Sequence, residues 1–337
     1  MKYGLRELKM RVLWGGLNVV RWLLAAVGLA ALVLSAMIAV PVKRPATLPF
    51  IADAVRDADN QGIPPLQTFR ARDGSILSYR HYVPSGQRVQ RAAVLIHGSS
   101  GSSYAMHPLA KALAARGVES FVPDIRGHGA SGTHGDIGYI GQLDDDMADL
   151  VAHIRSTGVS LPLTLVGHSS GGGFALRIAG SANQNLFVRT VLLSPMLGID
   201  SPSTRPNAGG WASPSIPRII GLIILRNIGI ICCEGLPVVA FATPENLQNI
   251  LTSQYSFRLL SNFGARRDFH ADLNGVKGPM TLIAGANDEL MVASKYEEAV
   301  KGTAAKMNFR ILEGANHMDV VSSARFTDVV AEDVATR

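Results

Sequence analysis

Cysteine is scarce in this 337-residue chain: Cys232 and Cys233 are the only two. That number excludes a disulfide framework and a cysteine-rich zinc site. Neighbouring cysteines cannot bridge each other without strain, so the pair reads as two small apolar residues. Charged residues make up only 17% of the chain against 47% apolar, which excludes a disordered or charge-dominated polymer. No internal repeat is present. From Trp22 to Val42 charge is missing altogether: WLLAAVGLAALVLSAMIAVPV.

The small net charge of +6 is also confined to one place. Residues 1–44 hold seven Lys or Arg and one Glu, and the remainder carries 25 charges of each sign. A neutral body on a basic amino terminus excludes nucleic acid as the partner and leaves an anionic membrane.

The uncharged run is long enough to cross a hydrocarbon core of about 30 Å at 1.5 Å per residue. It is longer than a signal-peptide core, and no clean A-x-A site follows it. The sequence therefore predicts a basic segment over 1–21, a single transmembrane helix over 22–42 and a proline-containing linker over 43–65. Lys2, Arg6, Lys9, Arg11 and Arg21 precede the run, whereas only Lys43 and Arg44 follow it. The positive-inside rule then puts the amino terminus in the cytoplasm and the body on the extracytoplasmic side.

From Leu66 short β-rich segments alternate with helix-like ones. LQTFRA and SILSYRHYV alternate apolar and polar residues, as an antiparallel pair at a sheet edge would. AAVLIHG, VESFVPD, LTLVGHS, VRTVLLS and MTLIAG are continuous apolar runs, as parallel strands covered on both faces require. MNFRILE is a further strand candidate. Helical stretches fall at 106–116, 141–155, 172–180 and 293–301. This rhythm predicts an α/β domain over 66–337, a mostly parallel sheet flanked by helices. Residues 196–267 interrupt it and read as a lid insertion. Within the lid, Ile216–Phe241 carries only Arg218, Arg226 and Glu234 as charges. Gly221, Gly229 and Pro237 break it, which disfavours a second transmembrane helix and favours contact with lipid.

Chemistry concentrates at Gly167-His168-Ser169-Ser170-Gly171, a G-x-S-x-G between a strand and a helix. A sharp turn there lifts a serine hydroxyl above the sheet, and small neighbours avoid clashes. Such a nucleophile needs a base, an acid and oxyanion donors. Asp288 follows the strand MTLIAG, and His317 follows MNFRILE. The backbone N–H groups of Ser99 and Ser170 are the candidate oxyanion donors. His97 and His168 flank this site and read as turn-shaping residues. Asp124 reads as ordering its own loop, and Asp144, Asp145 and Asp146 as a favourable helix start.

The chain order Ser169, Asp288, His317 resembles the α/β-hydrolase superfamily, over roughly residues 66–335. Asp124-Ile125-Arg126-Gly127-His128-Gly129-Ala130-Ser131, with Gly138-Tyr139-Ile140, is similar to the monoacylglycerol lipase and lysophospholipase branch. Two features depart from relatives: HGSSG stands where another esterase group has HGGG, and an anchor precedes the body. The resemblance implies a serine hydrolase acting on lipid-like carboxylic esters, with Ser169 as nucleophile, His317 as base and Asp288 as acid. It implies no metal or organic cofactor, and a membrane and a small ester or lipid as partners. A serine peptidase or amidase, another esterase, or a non-catalytic scaffold remain the alternatives on this fold. The oligomeric state is open.

Overall fold

The computed structural model describes residues 2–49, 53, 61–86, 89–247 and 250–336. The chain divides into two compact units, Met1–Pro41 with Ser215–Cys233, and Val42–Pro214 with Glu234–Arg337.

The larger unit is built on an eight-stranded sheet. Its strands are β1 (Leu66–Arg70), β2 (Ile76–Tyr82), β3 (Arg91–Ile96), β4 (Val118–Pro123), β5 (Leu163–His168), β6 (Arg189–Leu193), β10 (Met280–Gly285) and β11 (Met307–Leu312). They lie in the order β1-β2-β4-β3-β5-β6-β10-β11. The β1–β2 and β2–β4 pairs are antiparallel; every pair from β4 to β11 is parallel. Each of the eight strand segments legible in the sequence forms a strand of this sheet.

Continuous apolar strands arise because both faces are covered. Ala92, Val94 and Ile96 of β3 enter one core, while Ala93 and Leu95 enter the other. The first face packs helices α3 (Gln142–Ser156) and α4 (Ser170–Ala179), and the second packs α2 (His107–Ala114). The carboxyl-terminal helix α8 (Ala324–Thr336) buries Phe326, Val330, Ala331 and Val334 in the second core. Their spacing places them along one helical face.

The insertion between β6 and β10 contains its own antiparallel sheet, β7 (Ala212–Pro214), β8 (Pro237–Phe241) and β9 (Gln254–Ser256). Helices α6 (Phe257–Asn262) and α7 (Phe269–Gly275) lead back to β10. The expected linker over 43–65 is only partly described, since residues 50–52 and 54–60 lie outside the described residues. Its described ends are docked, not free: Arg44 donates to the Thr243 carbonyl at 2.7 Å, and His107 Nε2 donates to the Gln61 carbonyl at 3.2 Å.

In the smaller unit, helix α1 runs from Lys2 to Ala39. The stretch Trp14–Ala39, 26 residues long and not buried, is long and apolar enough to cross a membrane. This span begins and ends earlier than the 22–42 window read from the sequence. Arg21 does not interrupt helical geometry, because its long stem is compatible with an apolar helix. Pro41 disfavours helix in the residue before it, so the helix stops at Ala39. The second element is α5 (Ile216–Asn227), followed by Cys232 and Cys233. Both thiols are free, as expected of neighbouring cysteines, and lie exposed with their sulfurs 3.2 Å apart.

Candidate active site

Ser169 occupies the turn between β5 and α4 with φ 56° and ψ −121°. A non-glycine residue in this region stores strain of order 1–3 kcal/mol, which the surroundings must over-determine. They do so through the backbone: Ser169 N–H donates to the Leu193 carbonyl at 2.9 Å. Its own carbonyl accepts from Gly173 and Met196, both at 3.0 Å. The turn is also sterically closed. A Cβ on Gly167 would overlap the Gly171 carbonyl, and one on Gly171 would overlap the His97 carbonyl. Both motif glycines are therefore demanded by close backbone approach.

Asp288 and His317 emerge from the adjacent parallel strands β10 and β11, paired through Gly285 and Leu312. The two loops are then stitched together, with Asn287 N–H on the Ala315 carbonyl at 3.0 Å. His317 Nδ1 lies 2.8 Å from Asp288 Oδ2 and 3.0 Å from Oδ1. The Asp288 Oδ1 also accepts from Leu290 and Met291 N–H, at 2.9 and 2.8 Å. Burial pushes the Asp288 carboxyl up, but the His317 charge and these hydrogen bonds outweigh it and hold it below the usual range. An ionised Asp288 fixes the proton of His317 on Nδ1 and leaves Nε2 as an acceptor. The structure thus brings Asp288 and His317 into contact. Among the described residues no hydrogen bond joins the Ser169 hydroxyl to His317, a contact that free enzymes often hold long.

His168 packs against His317. Its ring centroid is 4.8 Å from that of His317, and its Nε2 donates to the His317 carbonyl at 3.0 Å. Burial first, then the His317 charge, pushes its pKa down to about 3. A histidine held neutral when folded yields stability that is present above the unfolded pKa of about 6.5. That stability is lost as pH falls from there toward about 3, because only the unfolded chain takes the proton. The expected loss from this residue between pH 7 and pH 5 is about 2 kcal/mol. His97 and His128 are lowered in the same direction by burial and add to the slope. Urea unfolding at the two pH values checks this: His168→Gln should flatten the dependence, and an unchanged slope would contradict it.

The oxyanion candidates lie on either side of Ser169. Ser170 is the first residue of α4, so its N–H has no acceptor within the helix. Ser99 is in the loop after β3, and β3 pairs with β5 through Ile96 and Gly167. A Cβ on Gly98 would stand 3.1 Å from Ser169 Cβ, so this loop lies directly against the elbow. The loop is clamped by residues that sequence reasoning missed. Ser100 N–H donates to Tyr255 Oη at 2.6 Å, and Ser100 Oγ donates to the Thr252 carbonyl at 2.7 Å. Tyr255 O–H in turn faces His128 Nε2 at 2.6 Å, whose Nδ1 reaches the Ile125 carbonyl at 3.1 Å. Read as one network, each group has a donor or acceptor role consistent with neutral His128. Trp211 Nε1 donates to Ser99 Oγ at 2.8 Å. The turn-shaping role read for His97 also has partners: its Nε2 accepts from Ile125 N–H at 3.2 Å. Asp124 orders its loop through Ser103 and Ala130 N–H, at 2.7 and 2.9 Å. Asp144 and Asp145 stand in the first turn of α3. Among the described residues no group of three or more His, Cys, Asp or Glu is placed to hold a metal ion.

This sheet, with a strained serine at the elbow after β5 and an Asp–His pair after β10 and β11, is an α/β-hydrolase fold. A family model described as serine aminopeptidase, S33, matches residues 87–320, and the chain belongs to that family of hydrolases. A curated relative, a monoglyceride lipase homolog of Monkeypox virus, is 24% identical over 243 residues, which is 67% of this chain and 82% of the relative. Among solved structures, a soluble variant of monoglyceride lipase from Saccharomyces cerevisiae aligns with TM-score 0.62 and 18% identity. The alignment covers 82% of this chain and 95% of the yeast protein. The monoacylglycerol lipase of Paleococcus ferrophilus aligns with TM-score 0.57 and 18% identity, covering 77% and 98%. At these identities the structural likenesses establish the fold.

Proposed function

We propose that the chain is a membrane-anchored serine esterase that cleaves carboxylic esters of lipid-like substrates, of monoacylglycerol or lysophospholipid type. The observation that carries the reading is the strained Ser169 elbow beside the buried Asp288–His317 pair. In the proposed reaction His317 Nε2 takes the Ser169 proton as the hydroxyl attacks the ester carbonyl. The N–H groups of Ser99 and Ser170 hold the oxyanion, each contributing about 2.7–4 kcal/mol to the transition state. The alcohol leaves with the proton, and water then releases the acyl group by the same path. Asp288 keeps His317 in the tautomer that can accept. These steps require no metal or organic cofactor.

Support for the lipid-like substrate comes from the monoglyceride lipase homolog, matched over most of its length, and from the apolar composition of the insertion. The helix Trp14–Ala39 supplies the anchor in this reading. The excess of basic residues before it orients the amino terminus to the cytoplasm and the hydrolase to the far side.

A panel of esters from acetyl to octanoyl, with matched amides and a glycerol ester, tests the substrate class. Each methylene buried in an acyl pocket contributes about 0.8 kcal/mol, roughly fourfold in kcat/KM. A rise along the series is expected, and a flat profile contradicts a lipid substrate. The description of the matching family as serine aminopeptidases keeps a second reading, an amidase or peptidase. Faster turnover of the amides would favour it.

A further inference from the structure

We infer that Ser215–Cys233, the middle of the insertion, is a second membrane element: an interfacial helix seated on the far end of the anchor. The inference rests on the anchor reading of α1. It does not depend on the esterase reading.

Three contacts join the two segments within the smaller unit. Ser215 Oγ donates to the Val40 carbonyl at 3.3 Å, and Arg218 Nε donates to the Ile38 carbonyl at 2.7 Å. At Gly221 a Cβ would meet Ile38 Cγ1 at 3.0 Å, Met37 Cβ at 3.4 Å and the Leu34 carbonyl at 3.7 Å. Small residues at such crossings let helices approach closely in lipid, where packing replaces the hydrophobic effect. Arg218 is the one charge in the first two turns of α5, and its bond to a carbonyl left open at the end of α1 satisfies both groups.

The contacts also fix a depth. Residues 34–38 lie about 1.5–7.5 Å inside the end of α1 at Ala39, at 1.5 Å per residue. Interfacial helices sink their apolar faces about 5–10 Å into the headgroup and acyl boundary, so the level agrees. What α5 turns away from α1 is apolar. Ile216, Ile220 and Ile224 recur every fourth residue and are exposed, and beyond the helix Ile228 and Ile231 are 62% and 71% exposed. A ridge of this kind in water is a liability. The occupant that covers it is the bilayer, because the ridge continues from a 26-residue apolar helix that is itself unburied. Arg226, in the last turn, is exposed and long enough to reach headgroups from this level.

The two native cysteines supply the test, since both are exposed at the end of this segment. In the full-length chain carrying Cys233→Ser, Cys232 is labelled with an environment-sensitive fluorophore and the protein is reconstituted in phosphatidylcholine–phosphatidylglycerol vesicles. The expected result is blue-shifted emission, quenched more by lipids with a nitroxide at acyl carbon 5 than at carbon 12. Ile220→Asp with Ile224→Asp should abolish that quenching. A parallel chain with Ser35→Cys, Cys232→Ser and Cys233→Ser reports whether α1 is inserted. Quenching of the Cys232 probe by aqueous iodide alone, with the Ser35 position in lipid, would overturn the inference. So would shielding from both quenchers, which signals a protein partner, or stronger quenching at carbon 12, which signals a deeper segment. A water-exposed Ser35 position would overturn the anchor and this inference together, while leaving the esterase reading untouched.

Discussion

Replacing Ser169 with alanine should lower kcat by about 10⁶-fold on any ester that the wild-type enzyme turns over, as loss of the nucleophile does in serine hydrolases. The fold should survive. Alanine inherits the same positive φ, so the strain at the elbow is unchanged, and the backbone bonds to Leu193, Gly173 and Met196 remain. The unfolding free energy should therefore change by no more than about 0.5 kcal/mol. Kinetics with a p-nitrophenyl ester, paired with urea unfolding, separate loss of chemistry from loss of structure. A variant that retains more than a few per cent of wild-type activity would mean that Ser169 is not the nucleophile.

The second large effect is expected for Asp288→Asn, at about 10⁴-fold in kcat. The reason is local and geometric. Oδ1 accepts from both Leu290 and Met291 N–H, so the side-chain oxygen of asparagine is obliged to take that position. The amide nitrogen then falls at Oδ2, 2.8 Å from His317 Nδ1. A donor facing Nδ1 turns it into an acceptor and drives the histidine proton to Nε2, which can no longer accept from Ser169. The loss should appear in kcat with little change in KM, because residue 288 is fully buried. A fall of less than tenfold would contradict the assigned tautomer.

The eight-stranded sheet was legible because each strand carries its own pattern: alternation at the β1–β2 edge, and apolar runs where both faces are covered. The candidate site was legible for a related reason. Ser169, Asp288 and His317 each follow a strand of the parallel part of the sheet, so the three fall at the same edge whatever length of chain is inserted between them. The clamp on the loop that carries Ser99 and Ser100 was not legible. Tyr255 sits in β9, a strand of three residues, too short for any periodicity to show, and its partner Ser100 is 155 positions away. Trp211 and Ser99 meet only through the path of the insertion. The packing of α5 on α1 was hidden for the same reason: composition marks both as apolar, whereas Gly221 reads from sequence as a helix breaker. Only the fold turns that glycine into a contact surface. The terminal helix α8 carries its signal only in Phe326, Val330 and Val334, which repeat every four residues along an otherwise mixed segment.

The central claim, an acyl-enzyme formed on Ser169, is tested most directly by treating the full-length protein with a fluorophosphonate. Intact mass and peptide mapping then read the adduct. The account predicts a single adduct, located on Ser169 and absent from Ser169→Ala. A wild-type protein that never labels, or an adduct that persists in the alanine variant, would contradict it.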